Sequence, residues 1–224
     1  MKNKILIAAV LFVSAYFLQS CNNSTNNTSK NEMDTSMSSM AQNDSMSSGK
    51  MQMDNGMMQS MNSTMSKIKD MKMTGDFDFA NMMIMHHQAA IDMSDVEIAK
   101  GTDAQIKTMT QNIITAQKAG IEQMQQFIKN YKMPEAKKEN EEMHNELGET
   151  MKAMMDKMNN IQMTGNSDKD YAMMMIPHHE SAVTMAEDEL KHGKQLGLKK
   201  MAQKMIADQS KEINEFKAWL SNQK

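Results

Sequence analysis

The chain has 224 residues and a net charge of −3, and 32 of its residues are methionine against six histidines and one cysteine. All 25 basic residues are lysine, so the chain has no arginine fork for phosphate, which argues against nucleic acid as a partner. With two prolines and 4% aromatic residues, the composition favours an all-helical protein. Because thioether sulfur is a soft donor that prefers ions such as Cu(I), the methionine content predicts metal handling.

Residues 1–21 are typical of a secretory signal peptide. Lys2 and Lys4 precede the apolar stretch 5–18, which is short for a membrane span. Residues 18–21 resemble a bacterial lipobox, which implies that Cys21 is lipidated and anchors the mature protein to a membrane. We therefore expect an exported cell-envelope lipoprotein, at the periplasmic face of a membrane or the cell surface. The alternative is an uncleaved N-terminal anchor with an incidental cysteine.

Residues 22–66 form a low-complexity segment of Ser, Asn, Asp, Gln and Met. Such a segment buries too little surface to offset its ordering entropy, so we expect a disordered tether. Its methionines recur every few residues, and two or three thioethers at that spacing could wrap a small ion. Two alternatives remain: a spacer with no role in metal binding, and an amphipathic helix near 57–72 in which the methionines pack.

An internal repeat occupies the rest of the chain, because residues 78–128 align with 170–220 at a constant offset of 92. The matches are Asp78/Asp170, Ala80/Ala172, Met82/Met174, Met83/Met175, Ile84/Ile176, His86/His178, His87/His179, Ala90/Ala182, Met93/Met185, Glu97/Glu189, Gly101/Gly193 and Gln117/Gln209, among others. Each copy is therefore expected to be one structural unit.

Each copy carries helical periodicity twice, interrupted by a glycine. In the first copy an apolar face predicts a helix to about Lys100, Gly101 ends it, and Thr102 with Gln105 resembles a capping box for the next helix. The residues expected to be buried are Phe79, Met83, Ala90 and Met93, then Ile106, Met109, Ile113, Ile114, Ile121, Met124, Phe127 and Ile128, with Leu198, Met201, Met205, Ile206, Ile213, Phe216, Trp219 and Leu220 in the second copy. Each copy is thus predicted to be an αα-hairpin.

Two hairpins with one apolar face each are expected to pack as a four-helix bundle. We assign this all-α bundle to residues 67–224, with repeat 1 at about 74–131, a connector at 132–162 that is partly helical, and repeat 2 at about 163–224.

Residues 170–186 and 209–220 closely resemble the family catalogued as domain of unknown function 305. The resemblance covers roughly 70–224 and implies a ferritin-like fold of two helix-pair repeats, each with a His-His pair. Some members with methionine-rich extensions look like periplasmic copper-binding proteins that confer copper tolerance. The first copy departs from the pattern, with Met85 in place of Pro177 and Ser94 in place of Ala186.

The histidine pairs and their neighbouring methionines are the candidate metal ligands. Within each copy a methionine lies one turn before each histidine, on adjoining ridges of one helix. The candidates are Met82, Met83, His86, His87, Met93, Met174, Met175, His178, His179 and Met185. Pro177 predicts a kink that would aim a ligand beside His178. The alternative is that the methionines and histidines only fill the core.

Gln117 and Gln209 fall on the inward arc of the second helices, where we expect them to orient the imidazoles or to bond each other. Glu97 and Glu189 lie inside the apolar arc, about 16 Å from the first histidines. The strings Glu141-x-x-His144 and Glu189-x-x-His192 superficially fit a di-iron site, but the paired glutamates of the other helices are missing.

No nucleophile-and-base set, phosphate-binding loop or Cys-Cys knuckle is found, so the sequence does not indicate an enzyme. We expect copper binding, with Cu(I) preferred and Cu(II) or Ag(I) as further ions, for sequestration or transfer that contributes to metal tolerance. A copper-transfer protein is the expected protein partner. The alternative function is a non-catalytic structural or interaction module whose methionines are core packing.

Overall fold

The computed structural model describes residues 75–132 and 141–223, and within them it forms five helices and no strand. The helices are α1 (Asp76–Lys100), α2 (Ala104–Asn130), α3 (Glu141–Asn159), α4 (Ser167–His192) and α5 (Leu196–Ser221). The all-α class and the two αα-hairpins, α1–α2 and α4–α5, are confirmed. The predicted signal peptide, Cys21, the tether at 22–66 and residues 67–74 and 133–140 lie outside the described residues.

The two copies of the repeat meet through their first helices. α1 packs against α4, and each keeps its own hairpin partner, α2 or α5. Two residues that differ between the copies contact each other across this interface. The hydroxyls of Ser94 and Tyr171 are hydrogen-bonded at 2.8 Å. α4 continues through Pro177 as one helix.

The helical part of the connector is a fifth packed element. α3 lies along α4 and also contacts α1. Its apolar residues recur every three or four positions, so they form one face, and that face is buried: Met143, Leu147, Met151, Met154, Met155 and Met158. The partly helical connector is therefore confirmed, and its methionines belong to the core.

Each hairpin turn is closed by an aspartate from the other copy. Asp168 accepts hydrogen bonds from the backbone N–H groups of Thr102 and Asp103, and Asp76 accepts them from Lys194 and Gln195. The predicted capping box has the wrong N-cap residue. The side chain of Asp103, not that of Thr102, accepts hydrogen bonds from backbone N–H groups in the first turn of α2. The reason is that the Thr102 hydroxyl is engaged by Asp168.

Gly101 and Gly193 follow the last residues of α1 and α4, as predicted for Gly101. The requirement for glycine at these positions is steric. Both have ordinary extended dihedral angles. A Cβ at either position would collide with a carboxyl group, of Glu97 or Glu189 respectively, folded back over the turn. Within 75–132 and 141–223, every helix falls short of the length or the hydrophobicity that a bilayer crossing demands.

Candidate metal centre

Both predicted histidine pairs point into the core and meet there. His86 and His87 lie on α1, His178 and His179 lie on α4, and each is at most 2% exposed. Because α1 packs against α4, the rings of His86 and His178 come together, with centroids 3.7 Å apart. The rings of His178 and His179, which are neighbours on α4, have centroids 6.1 Å apart. The four residues are called the imidazole cluster below.

Several ring nitrogens of the imidazole cluster have no hydrogen-bond partner among the described residues. They are both nitrogens of His178 and the Nδ1 atoms of His87 and His179. Buried polar atoms are nearly always paired, since leaving one unpaired costs about 1–3 kcal/mol. Each neutral imidazole has one nitrogen with a free lone pair, so several such rings gathered in a buried place are suited to a metal ion.

Burial keeps three imidazoles of the cluster neutral, those of His86, His87 and His178. The pKa of His87 is lowered to about 3 by burial and by the nearby His179. The pKa values of His86 and His178 are also lowered well below 6.5, again by burial first and then by the neighbouring histidines. Since a metal ligand must be the neutral imidazole, these three side chains are in the binding form at neutral pH without losing a proton.

A methionine from α3, which the sequence analysis did not select, reaches the imidazole cluster through a serine. The Ser181 hydroxyl lies 2.7 Å from His86 Nε2, 2.7 Å from the carbonyl oxygen of His178 and 3.0 Å from Met154 Sδ. Its single proton serves one acceptor at a time. Met154 is buried, so its sulfur is a soft donor beside the histidines. The helical spacing of Met151, Met154 and Met158 was the signal that could have indicated a buried face.

The two halves of the imidazole cluster differ in their surroundings. His179 Nε2 lies 2.9 Å from a carboxylate oxygen of Glu212. The equivalent position in the first copy is Gly120, and a Cβ there would lie 2.7 Å from the His87 ring. Ser181, likewise, corresponds to Ala89. The repeat therefore supplies four similar imidazoles, but the carboxylate and the hydroxyl beside them both come from the second copy.

The predicted methionine ligands are all buried in the same core. They lie on α1 and α4, and none is more than 5% exposed: Met82, Met83, Met93, Met174, Met175 and Met185. Met82 and Met174 each precede a histidine of the cluster by about one helical turn. Burial at these places is compatible with both predicted roles, metal ligand and core packing.

Gln117 and Gln209 are buried, as their positions on the inward arc predict. Neither makes a hydrogen bond to an imidazole or to the other glutamine within 75–132 and 141–223, and the side-chain oxygens of both have no partner there. The two predicted pairings are therefore not seen in this conformation.

The glutamates and histidines of the strings that superficially fit a di-iron site have different surroundings and contacts in the fold. Glu141 is exposed, whereas Glu189 is buried against the turn at Gly193. His144 lies 3.5 Å from Asp78, and His192 lies 3.1 Å from Glu146.

Comparison with known protein families identifies the family of this chain. The model for domain of unknown function 305 (DUF305) matches residues 76–220, which span all five helices but for one residue at the end of α5. The chain belongs to the DUF305 family. The predicted family resemblance is thereby confirmed.

Three solved structures of the protein CopM are similar to this DUF305 chain at 28% sequence identity and a TM-score of 0.50. The apo form and an Ag-bound form obtained by co-crystallisation each match 66% of this chain, covering 98% and 97% of CopM respectively. The Cu(II)-bound form matches 67% of this chain and 99% of CopM. Among proteins with curated descriptions, none matches.

Proposed function

We propose that this DUF305 protein binds copper, with Cu(I) preferred, through the imidazole cluster and its neighbouring methionines. The observation that carries the proposal is the buried meeting of four imidazoles, three of which have unpartnered ring nitrogens. The bound forms of CopM add support, because a similar fold binds both a soft ion, Ag, and Cu(II). The candidates from which a bound ion would take a few ligands are His86, His87, Met82, Met83, Met93, Met154, Met174, Met175, His178, His179 and Met185.

The preference for Cu(I) rests on donor chemistry. Thioether sulfur suits Cu(I) and Ag(I), whereas Cu(II) is better served by imidazole and oxygen. Met154 sulfur lies beside Ser181, which itself contacts His86, so a soft donor and an imidazole approach the same place. In this reading Cu(II) binds through the imidazoles alone.

The proposed role is sequestration or transfer of copper in the bacterial cell envelope, which would contribute to metal tolerance. The supports are the lipobox-like residues 18–21 with Cys21 and the methionine-rich segment 22–66. A lipid anchor would hold the protein at a membrane, and a copper-transfer protein would receive the ion. No substrate is transformed in this proposal, so the protein would not be an enzyme.

An anaerobic titration against a competing Cu(I) chelator tests the proposal. The full chain is compared with a His86→Leu/His178→Leu variant, which fills both buried positions with an apolar side chain and removes the two adjacent imidazoles. A His144→Gln variant is the matched control, because it removes an imidazole outside the cluster. We expect the double variant to lose copper and the control to keep it, with circular dichroism confirming that both remain helical.

A chain lacking residues 22–66 separates the bundle from the tether. If only this truncation loses copper, the tether is the site and the histidines are core residues. If no protein in the series competes with the chelator, the chain is a structural or interaction module and its methionines are packing groups.

A further inference from the structure

A second group of metal-ligating side chains lies where the start of α3 meets the end of α4. Glu142 and Glu146 are one turn apart on α3 and so share a ridge. His192 is the last residue of α4. Each of the three brings a ligand atom to within 4.8 Å of the other two, and His192 Nε2 lies 3.1 Å from Glu146 Oε2.

Among the described residues, the carboxylates that the structure places around this group outnumber the lysines. Lys191 Nζ lies 3.2 Å from Glu146 and 3.9 Å from Glu142, so a single lysine serves two carboxylates. Asp188 lies one turn before His192 and interacts electrostatically with Glu146, adding a third negative charge. Three carboxylates facing one lysine and one imidazole form a place where a divalent cation is attracted.

We propose that Glu142, Glu146 and His192 form a second metal site, which takes a borderline divalent cation such as Zn²⁺. Imidazole nitrogen and carboxylate oxygen are the ligands that Zn²⁺ accepts in a four-coordinate site, whereas Cu(I) prefers sulfur. Glu146 and His192 are the inner pair, with side chains 30% and 20% exposed. Glu142 is mostly exposed and lies on the solvent side of the site.

This site is independent of the imidazole cluster. His192 follows His178 by fourteen residues on the same helix, a distance of about 21 Å at the α-helical rise. It is also not a product of the repeat, because the positions equivalent to Asp188 and His192 in the first copy are Val96 and Lys100. The site needs α3, which is not part of the repeat.

Titration of the full chain with Zn²⁺ tests the proposal. We compare the parent protein with Glu146→Gln and His192→Gln, and use Glu149→Gln and Glu187→Gln as matched controls on the exposed surfaces of the same two helices. Loss of one of the three ligands should weaken one Zn²⁺ equivalent by at least about tenfold, and the controls should bind as the parent does. Equal Zn²⁺ binding by all five proteins would overturn the proposal.

Lys191→Met gives a test in the opposite direction. Because the lysine competes with the cation for the same carboxylates, removing its charge should tighten Zn²⁺ binding. An ion-pair cluster with no metal role would show no gain, and that result would contradict the site.

Nuclear magnetic resonance distinguishes this site from the imidazole cluster. The imidazole signals that His192→Gln removes should shift on addition of Zn²⁺ to the parent protein, and Cu(I) binding by His192→Gln should equal that of the parent. Unmoved His192 signals, or a loss of Cu(I) binding in that variant, would show that no separate site exists.

Discussion

The two pairs of imidazoles differ in the groups that lie beside their ring nitrogens. His179 presents Nε2 to Glu212, so its Nδ1 is the unengaged nitrogen. A carboxylate beside a metal-binding histidine fixes the orientation and tautomer of the ring and makes it a stronger donor. His87 has Gly120 at the equivalent place and no such carboxylate. The repeated His-His motif therefore yields two unequal halves of one cluster.

Met154 provides the sharpest test at the scale of a single side chain. Met154→Leu keeps the volume and burial nearly unchanged, so the stability should fall by less than about 1.5 kcal/mol. Loss of the sulfur should weaken Ag(I) binding by about tenfold, equal to ~1.4 kcal/mol. A competition titration with Ag(I) measures the affinity, and thermal unfolding measures the stability.

Met143→Leu is the control, because Met143 is equally buried on the same helix but lies eleven residues away. Equal Ag(I) affinities for the two variants would remove Met154 from the proposed ligands.

At the scale of helices, the approach of α2 to α1 depends on a position without a side chain. Gly120 lies in the interior of α2, where glycine normally destabilises a helix by about 0.5–1 kcal/mol relative to alanine. The His87 ring occupies the space that a Cβ would need. The glycine therefore keeps α2 close to the histidine pair at a cost in helix stability.

Alanine at two helical glycines should have opposite effects on stability. Gly120→Ala forces the His87 ring to move, and overpacking of this kind costs about 1–3 kcal/mol. Gly148→Ala in α3 meets no atom within 4 Å, so it should stabilise the protein by about 0.5–1 kcal/mol. Chemical denaturation of both variants measures the difference. Stabilisation by both would show that the His87 contact is easily relieved.

The helices and their turns could be predicted from the sequence because each is specified locally. Periodicity identified both hairpins, and the repeat placed the histidines at equivalent points of two similar units. Contacts between elements could not be predicted in this way. Met154 reaches Ser181 only because α3 packs along α4, and Asp103 caps α2 only because Asp168 holds Thr102. Such choices depend on groups 27 to 66 residues apart in the chain.

At the scale of the whole molecule, buried carboxyl groups connect stability to pH. Glu189 is fully buried, and its pKa is raised to about 9 by burial first and then by the charge of Asp76 and a hydrogen bond to it. In the ionised form neither oxygen of Glu189 has a donor among the described residues, whereas the protonated form can donate to Asp76. The pKa of Glu97 is also raised, to about 7 and chiefly by burial, although one of its oxygens accepts a hydrogen bond from Ser167.

Stability should therefore decrease as the solution becomes alkaline. Glu189 binds its proton more tightly in the folded chain than in the unfolded chain, where its pKa is about 4.5. The stabilising contribution is complete below pH 4.5, and it is lost progressively as the pH rises through about 9. Glu189→Gln, which stays uncharged and can still donate to Asp76, should flatten this loss when unfolding is measured from pH 6 to 10.

Glu187→Gln serves as the control, since Glu187 is exposed on the same helix. Parallel stability curves for the parent protein and Glu189→Gln would show that this carboxyl does not set the alkaline limit.

The crossed hydrogen bonds of Asp76 and Asp168 make neither half of the bundle self-sufficient. A hairpin separated from the other one would retain its own aspartate, but the backbone N–H groups of its turn and its histidine pair would be exposed to water. The two aspartates are equivalent in the repeat, so a second molecule of the same hairpin could supply what is lacking. A separated half should accordingly pair with itself, and the linked chain carries that partnership within one polypeptide.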